Sequence, residues 1–289
     1  MLYHYTSLNG LLGILENQGI WASHCEYLND SSEISHALDF AKHFAGGIYM
    51  EDDYIAAFGW ALRDAIEHME RQDVYVSSFS EKPDLLSQWR GYCPKGAGIC
   101  VGFDRAAVED YCKQNGFVLS ECLYDEDEQR NRIFELVNEC FTKFPKPGIS
   151  RAEYDALSTG KQCEHELAYR FFTSEGDGKF EAKTAMNEFC GAINDYAPLM
   201  KNFGFHEESE WRVVARNPDA DVRHRAASSH LVPYINLSII KHNKNAIRKI
   251  IIGPNPNARR CSASVESLLK SKNLDHVNVE HSNIPFSSW

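Results

Sequence analysis

Glu208 and Glu210 stand two residues apart, directly ahead of Trp211-Arg212. At the start of a strand this spacing puts both carboxylates on one face. Two carboxylates held close repel, and the repulsion lifts the pKa of one of them, a common basis for acid/base work. Arg212 continues the same face and can pair with either glutamate. A solvated acidic turn with an arginine ion pair fits the same residues without any chemistry. A second group opens the chain. His4 and Tyr5 are neighbours on a short strand and therefore face opposite sides. Thr6-Ser7 follow, where a helix begins and its free N–H groups suit the phosphates of a nucleotide. An edge strand with a surface His4 is the plainer alternative.

The third group is Ser77-Ser78-Phe79-Ser80, followed by Trp89, Arg90 and Tyr92. Small hydroxyls on a strand and nearby aromatics suit a pocket that stacks on a flat ring. Trp89 taken alone reads as core. No metal set emerges. His24, His36, His43 and His68 lack a third partner at ligand spacing, and His165-Glu166 is not followed by a histidine at position 169. The nine cysteines include no CxxC pair and read as reduced, mostly buried thiols.

The elements that must carry these groups follow from pattern. Leu2–Thr6 reads as a strand, Ser7 as the N-cap of a helix carrying Leu8, Leu11, Leu12 and Leu15, and Gly19 as its stop. Ile20–Ser23 is a second strand. Asn29–Glu33 resembles a capping turn before helical sequence from about 34 to 71, broken near Gly46-Gly47. Val74–Ser80, Ile99–Phe103, Val118–Tyr124, Glu210–Ala215, Leu231–Tyr234, Lys249–Gly253 and Val277–Glu280 read as strands. Ala106–Gln114 and Ala263–Lys272 read as helices. Residues from about 126 to 200 are largely helical, interrupted at Pro145–Gly148 and Gly176–Gly178. Strands at both ends around a helical block favour an α+β class, a single domain over 1–289 with a mainly helical insert at about 126–200. No GxGxxG follows the first strand and no GxxxxGK[ST] occurs.

Composition narrows the classes. The 289 residues carry 30 Lys+Arg against 41 Asp+Glu, a formal charge of -11, with 43% hydrophobic residues. These are globular values. The acidic balance argues against a broad nucleic-acid surface, while leaving room for a local basic groove. No apolar run reaches membrane-span length, and the first residues lack a secretion signal. The chain is expected in the cytoplasm.

Beyond these patterns, blocks spread along the chain resemble a bacterial family of unknown function. They are Leu2–Ser7, Leu12, Ile14-Leu15 and Ile20–Ser23, then Leu28-Asn29-Asp30 and Glu33, then Ser78–Ser80, Leu86, Trp89, Tyr92 and Gly98–Phe103. Lys201, Glu208–Arg212 and Ile252-Gly253-Pro254 close the series. The first block also resembles the ADP-ribosyltransferase superfamily. That resemblance implies mixed or antiparallel central sheets and NAD as substrate, with cleavage of the nicotinamide–ribose bond and transfer to an unspecified acceptor, in a toxin or phage-defence effector. His4 takes the place of the histidine that contacts the adenosine-side ribose. Ser77 or Ser78 matches the small hydroxyl of the central strand, and Tyr5, Trp89 and Tyr92 compete for the ring that stacks on nicotinamide. Thr6, Arg90 and Arg212 complete the expected NAD-binding set. Glu208 or Glu210 matches the late-strand glutamate; Glu210 is assigned to the nicotinamide ribose and Glu208 to the acceptor, with the reverse order as the alternative. The alternatives are an inactive nucleotide-binding or protein-interaction module and a metal-dependent hydrolase working through the acidic cluster.

Overall fold

The computed structural model describes residues 1–28, 32–51, 56–69, 73–145, 151–162 and 179–285. In chain order its first elements are β1 (Leu2–Ser7), α1 (Leu8–Glu16), β2 (Ile20–His24), α2 (Ser32–Glu51), α3 (Ala56–Glu67), β3 (Val74–Ser80) and α4 (Leu86–Tyr92). There follow β4 (Gly98–Phe103), α5 (Arg105–Asn115), β5 (Val118–Glu121), α6 (Glu126–Lys143), α7 (Arg151–Asp155) and α8 (Lys179–Tyr196). The last are β6 (Glu210–Arg216), β7 (Arg223–Ala226), β8 (Leu231–Leu237), α9 (Ile239–His242), β9 (Ile247–Ile252), α10 (Ala258–Ser271) and β10 (Asn278–His281). The fold is α+β, with an open, mixed sheet. The chain divides into two compact units, one of residues 1–31, 73–122 and 201–289, the other of 32–72 and 123–200. The block expected at 126–200 thus shares its unit with α2 and α3.

The ten described strands all lie in the first unit. Their path runs β10-β9-β4-β1-β3-β2-β8-β7, with β6 on β3 and β5 on β6. Among the described strands only β9 and β10 pair in parallel, and α10 is the crossover between them. One face of the sheet is apolar for a simple reason. Leu11, Ile14 and Leu15 of α1, Val108 and Tyr111 of α5, and Val265 and Leu269 of α10 recur at helical spacing, so each helix lays one stripe on the strands. Ile99, Val101, Phe103, Val213, Ile250 and Ile252 alternate toward the same side. The opposite face carries a smaller cluster of Tyr5, Trp89, Cys100 and Ile251.

The sheet is not continuous along β3. Its β6 edge is paired from Val74 to Ser80. The other edge is shared: Ser80 pairs with Tyr3 of β1, while Val76 and Tyr75 pair with Ser23 and His24 of β2. Between those contacts β1 and β2 diverge, and Ser78 faces the opening.

The second unit is helical. Ala37, Ala41 and Ala45 of α2 meet Phe58 and Leu62 of α3, Ile133 and Val137 of α6, and Met186, Phe189 and Ile193 of α8.

Several local expectations change. Ser7 does cap α1, accepting from the Gly10 N–H at 3.0 Å. Gly19 is not the left-handed stop: Gln18 takes that conformation (φ 51°). Gly19 is needed because a Cβ there would lie 2.1 Å from the Leu237 carbonyl oxygen. Gly46-Gly47 does not break α2, which runs through both. The β5 strand stops at Glu121, α10 begins five residues before the expected Ala263, and β8 continues to Leu237. The polar edge strand β7 has no counterpart among the expected elements. Asn29–Ser31 of the capping turn, Lys146–Gly148, Gly176–Gly178, Cys163 and His165-Glu166 lie outside the described residues, as do the side chains of Glu33 and His36. The eight described cysteines are free thiols. Among the described residues no helix is long and apolar enough to cross a membrane.

Gly253 illustrates how tightly Trp89 is held. A Cβ at Gly253 would sit 2.8 Å from the Trp89 ring. Gly253→Ala is expected to lose about 1–3 kcal/mol, because an indole packed on all sides has nowhere to move. A urea midpoint unchanged from wild type would show that the ring has slack.

Candidate functional site

A buried charge network lies on the face opposite the main core. Tyr3↔Ser80 and Ser80↔Glu210 fix the alternation, so Tyr5, Ser78, Ser80, Glu210 and Arg212 share that face. His4, Thr6 and Ser77 project to the other side, with Phe79 and Val101. His4 and Tyr5 therefore diverge as expected, and His4 is on the opposite face from Glu210.

His4 Nδ1 lies 2.9 Å from the Ser78 carbonyl oxygen. A carbonyl only accepts, so Nδ1 carries the proton and Nε2 of the neutral ring is left as an acceptor. Burial lowers the His4 pKa, with the Ser78 contact opposing it, which favours that neutral form. The neighbouring Ser77 Oγ is buried and makes no hydrogen bond.

Glu208 and Glu210 do meet, but not through strand alternation. Glu208 ends a 3-10 turn over Phe203–Glu208, Ser209 is left-handed (φ 43°), and β6 begins at Glu210. The side chains converge on Lys201. Its Nζ donates to Glu208 Oε2 at 2.5 Å and also to Glu210 Oε2. Arg212 Nε donates to Glu210 Oε1 at 2.7 Å. All four side chains are nearly buried: Lys201 is 3% exposed, Arg212 5%, Glu210 6% and Glu208 12%. The solvated acidic turn is thereby overturned. So is the expectation of mutual repulsion, since an ammonium stands between the carboxylates. Burial would raise the Glu210 pKa, yet Arg212 first and Lys201 second outweigh it and hold the group below its ordinary value. Burial would likewise lower Lys201, and the two glutamates more than reverse it.

Around the network, Tyr92 donates its hydroxyl to Glu208 Oε1 at 3.3 Å. Its residue is 47% exposed. Burial near the hydroxyl, then the Glu208 charge, push its pKa to about 12. Ser80 Oγ donates to the Glu208 carbonyl at 2.6 Å, and Lys201 Nζ lies 5.0 Å from the Phe205 ring centre. Tyr5 and Trp89 are spent on each other, edge to face at 4.8 Å, and both are buried. Tyr5 also donates to the Lys82 carbonyl and accepts from Leu85 N–H, while Trp89 Nε1 donates to Asp84. Arg90 is exposed on α4 and Thr6 is half-buried at the end of β1. Lys201 and Asp84 were not among the expected site residues. Lys201 had a signal only in the block resemblance, and Asp84 had none.

Glu210 gives the network a defined pH dependence. Its native pKa is depressed, so its contribution is complete above the ordinary carboxylate value, about 4.3, and fades as pH falls through the lower native value. The stability gap between wild type and Glu210→Gln is therefore expected to narrow below about pH 4.3. Urea unfolding from pH 6 down to 2 measures it, and a gap that stays constant would mean the charge is not the cause.

Among the described residues no group of three or more His, Cys, Asp or Glu is placed to hold a metal ion. Cavities of about 570 and 630 Å³ occur in the first unit, and none of the expected site residues lines either one.

These features define an α+β protein whose open sheet carries a buried, charge-balanced quartet beside an unpaired stretch along one edge of β3. Over residues 88–213 the chain is similar to a family described as a protein of unknown function (DUF2971). That segment includes Trp89, Tyr92, both glutamates and Arg212, but not His4 or Ser78. No curated protein and no solved structure matches the chain.

Proposed function

We propose that the protein cleaves the nicotinamide–ribose bond of NAD, as an ADP-ribosyltransferase or NAD glycohydrolase. One observation supports this most. The sheet parts at Ser78 beside His4, and register places Glu210 on the adjoining strand, Ser80 opposite Glu210 and Ser78 opposite Arg212, with Glu208 in the 3-10 turn just ahead of it. A long ligand lying through the parting would meet His4 at one end and the carboxylates at the other. The resemblance of the opening block to the ADP-ribosyltransferase superfamily points the same way.

Exposure divides the roles. Glu208, the more accessible carboxylate, meets the ribose and stabilises the oxocarbenium-like charge as the C–N bond breaks. The bond's electron pair leaves with nicotinamide, and water or an acceptor captures C1′ and gives up a proton. Glu210, locked by Arg212 and Lys201, is a positioning residue. Tyr92 is the ring free to stack on nicotinamide, since Tyr5 and Trp89 are buried against each other. Incubating the protein with NAD and assaying free nicotinamide by chromatography tests the proposal. Release above a heat-inactivated control supports it.

A second reading, a nucleotide-binding module without turnover, is favoured by Lys201 already bridging both carboxylates. It predicts NAD binding with no nicotinamide release.

A further inference from the structure

Asp84 joins two distant parts of the chain. Its Oδ1 accepts from the Trp89 indole N–H at 2.7 Å and from Ser282 Oγ at 2.6 Å, and its Oδ2 accepts from the Asn283 N–H at 2.8 Å. Ser282 follows β10 directly. Its own N–H donates to the Ile252 carbonyl at 2.8 Å, and its Oγ accepts from the Ile284 N–H at 3.0 Å. Ile284 then packs on the cluster of Tyr5, Trp89, Cys100 and Ile251. A Cβ at Gly98 would lie 2.9 Å from the Trp89 ring, and one at Gly253 2.8 Å from it. The indole is thus held at its N–H and along its ring carbons. Trp89 and Tyr92 are three residues apart on α4, so they are neighbours on one side of the helix. Fixing the indole fixes the rotation of α4, and with it the reach of the Tyr92 hydroxyl to Glu208 Oε1 at 3.3 Å. Among the described residues that hydroxyl makes no other hydrogen bond.

We infer that Asp84 is the positioning residue for Tyr92: together with Ser282–Ile284 it sets α4 at the rotation that brings the Tyr92 hydroxyl to Glu208. Asp84 acts through Trp89 and α4, and its own oxygens bond to no member of the charge network. A carboxylate suits this place because all three partners are donors. An amide replaces one acceptor with a donor, so Asp84→Asn sets two donors against each other. The effect on substrate rests on the NAD reading, in which Tyr92 stacks on nicotinamide. The placement of Tyr92 does not.

Carbon-13 NMR of the full chain labelled at tyrosine Cζ reads that placement, with the Tyr92 signal assigned by Tyr92→Phe. Glu208→Gln supplies the shift that marks a lost Tyr92–Glu208 contact. Asp84→Asn is expected to move the Tyr92 signal the same way, and Ser282→Ala to move it less. Ser282→Thr keeps the hydroxyl and should leave it in place. Ser282→Ala is the milder variant and carries the test if Asp84→Asn does not fold. A Tyr92 signal unmoved in Ser282→Ala and in folded Asp84→Asn overturns the inference. In nicotinamide release, Asp84→Asn should raise KM for NAD about three- to tenfold, the worth of one ring contact. In a Tyr92→Ala background it should add almost nothing, since no ring is left to place. Equal losses in both backgrounds also overturn the inference. No release by the wild-type protein would instead defeat the NAD reading and leave the Tyr92 signal to decide.

Discussion

Lys201→Met is expected to destabilise the protein by about 3–5 kcal/mol, the loss typical when one partner of a buried charge cluster is removed. The ammonium is 3% exposed and bridges two carboxylates. Without it, Glu208 and Glu210 face each other with Arg212 as the remaining cation of the quartet. The double variant Lys201→Met, Glu208→Gln restores a one-to-one balance between Glu210 and Arg212. It should regain more than half of the loss, although it removes one more native hydrogen bond. That sign is what separates charge balance from simple packing, because packing defects add. Urea unfolding at pH 7 reads both variants. A single-variant loss under about 1 kcal/mol would place the network in water, where exposed ion pairs contribute that little.

Glu208→Gln is expected to lower NAD cleavage by about 10²–10³, with NAD affinity nearly intact, if the proposed chemistry holds. Gln keeps the shape but cannot offset developing positive charge on the ribose. The same substitution should affect folding less than Glu210→Gln. Glu208 is the more exposed of the two, and Glu210 remains available to Lys201. Measuring nicotinamide release and the urea midpoint on the same preparations separates the two effects. A Glu208→Gln protein with wild-type turnover would remove Glu208 from the reaction and leave Glu210 to carry it.

The contrast between these two glutamates shows where sequence pattern stops. Ser7 as a cap, Leu11 and Leu15 on the inner face of α1, and the strand at Glu210–Ala215 were legible because each is a local rule, whereas Leu12 of the expected stripe is 40% exposed and Ile14 is buried instead. The relation of Glu208 to Glu210 was not. A period of two assumes extended backbone, and Ser209 is left-handed. Lys201 escaped because it reaches the glutamates across the 3-10 turn Phe203–Glu208, which has no periodic signature. The β7 strand, Arg-His-Arg-Ala, has no apolar face to betray it. Gly46-Gly47 misled in the other direction, since packing of Ala41 and Ala45 carries α2 past two poor helix formers. The parting at Ser78 depends on which strands share an edge, a tertiary fact that no window of sequence contains.

The shared edge of β3 also has a history in the order of synthesis. Val74 leaves the ribosome long before its partner Arg216, Ile20 before Leu237, and Ile99 before Ile252. The helical unit, by contrast, is complete in sequence at residue 200. A nascent chain at that point holds every residue of the helical unit and the strands β1 to β5, yet lacks β6, β8 and β9, which cover the edges of β3, β2 and β4. His4 is therefore made well before Glu210 and Arg212, which lie on β6. Such late, long-range pairing is the slow kind, and the quartet cannot assemble before β6 has been made.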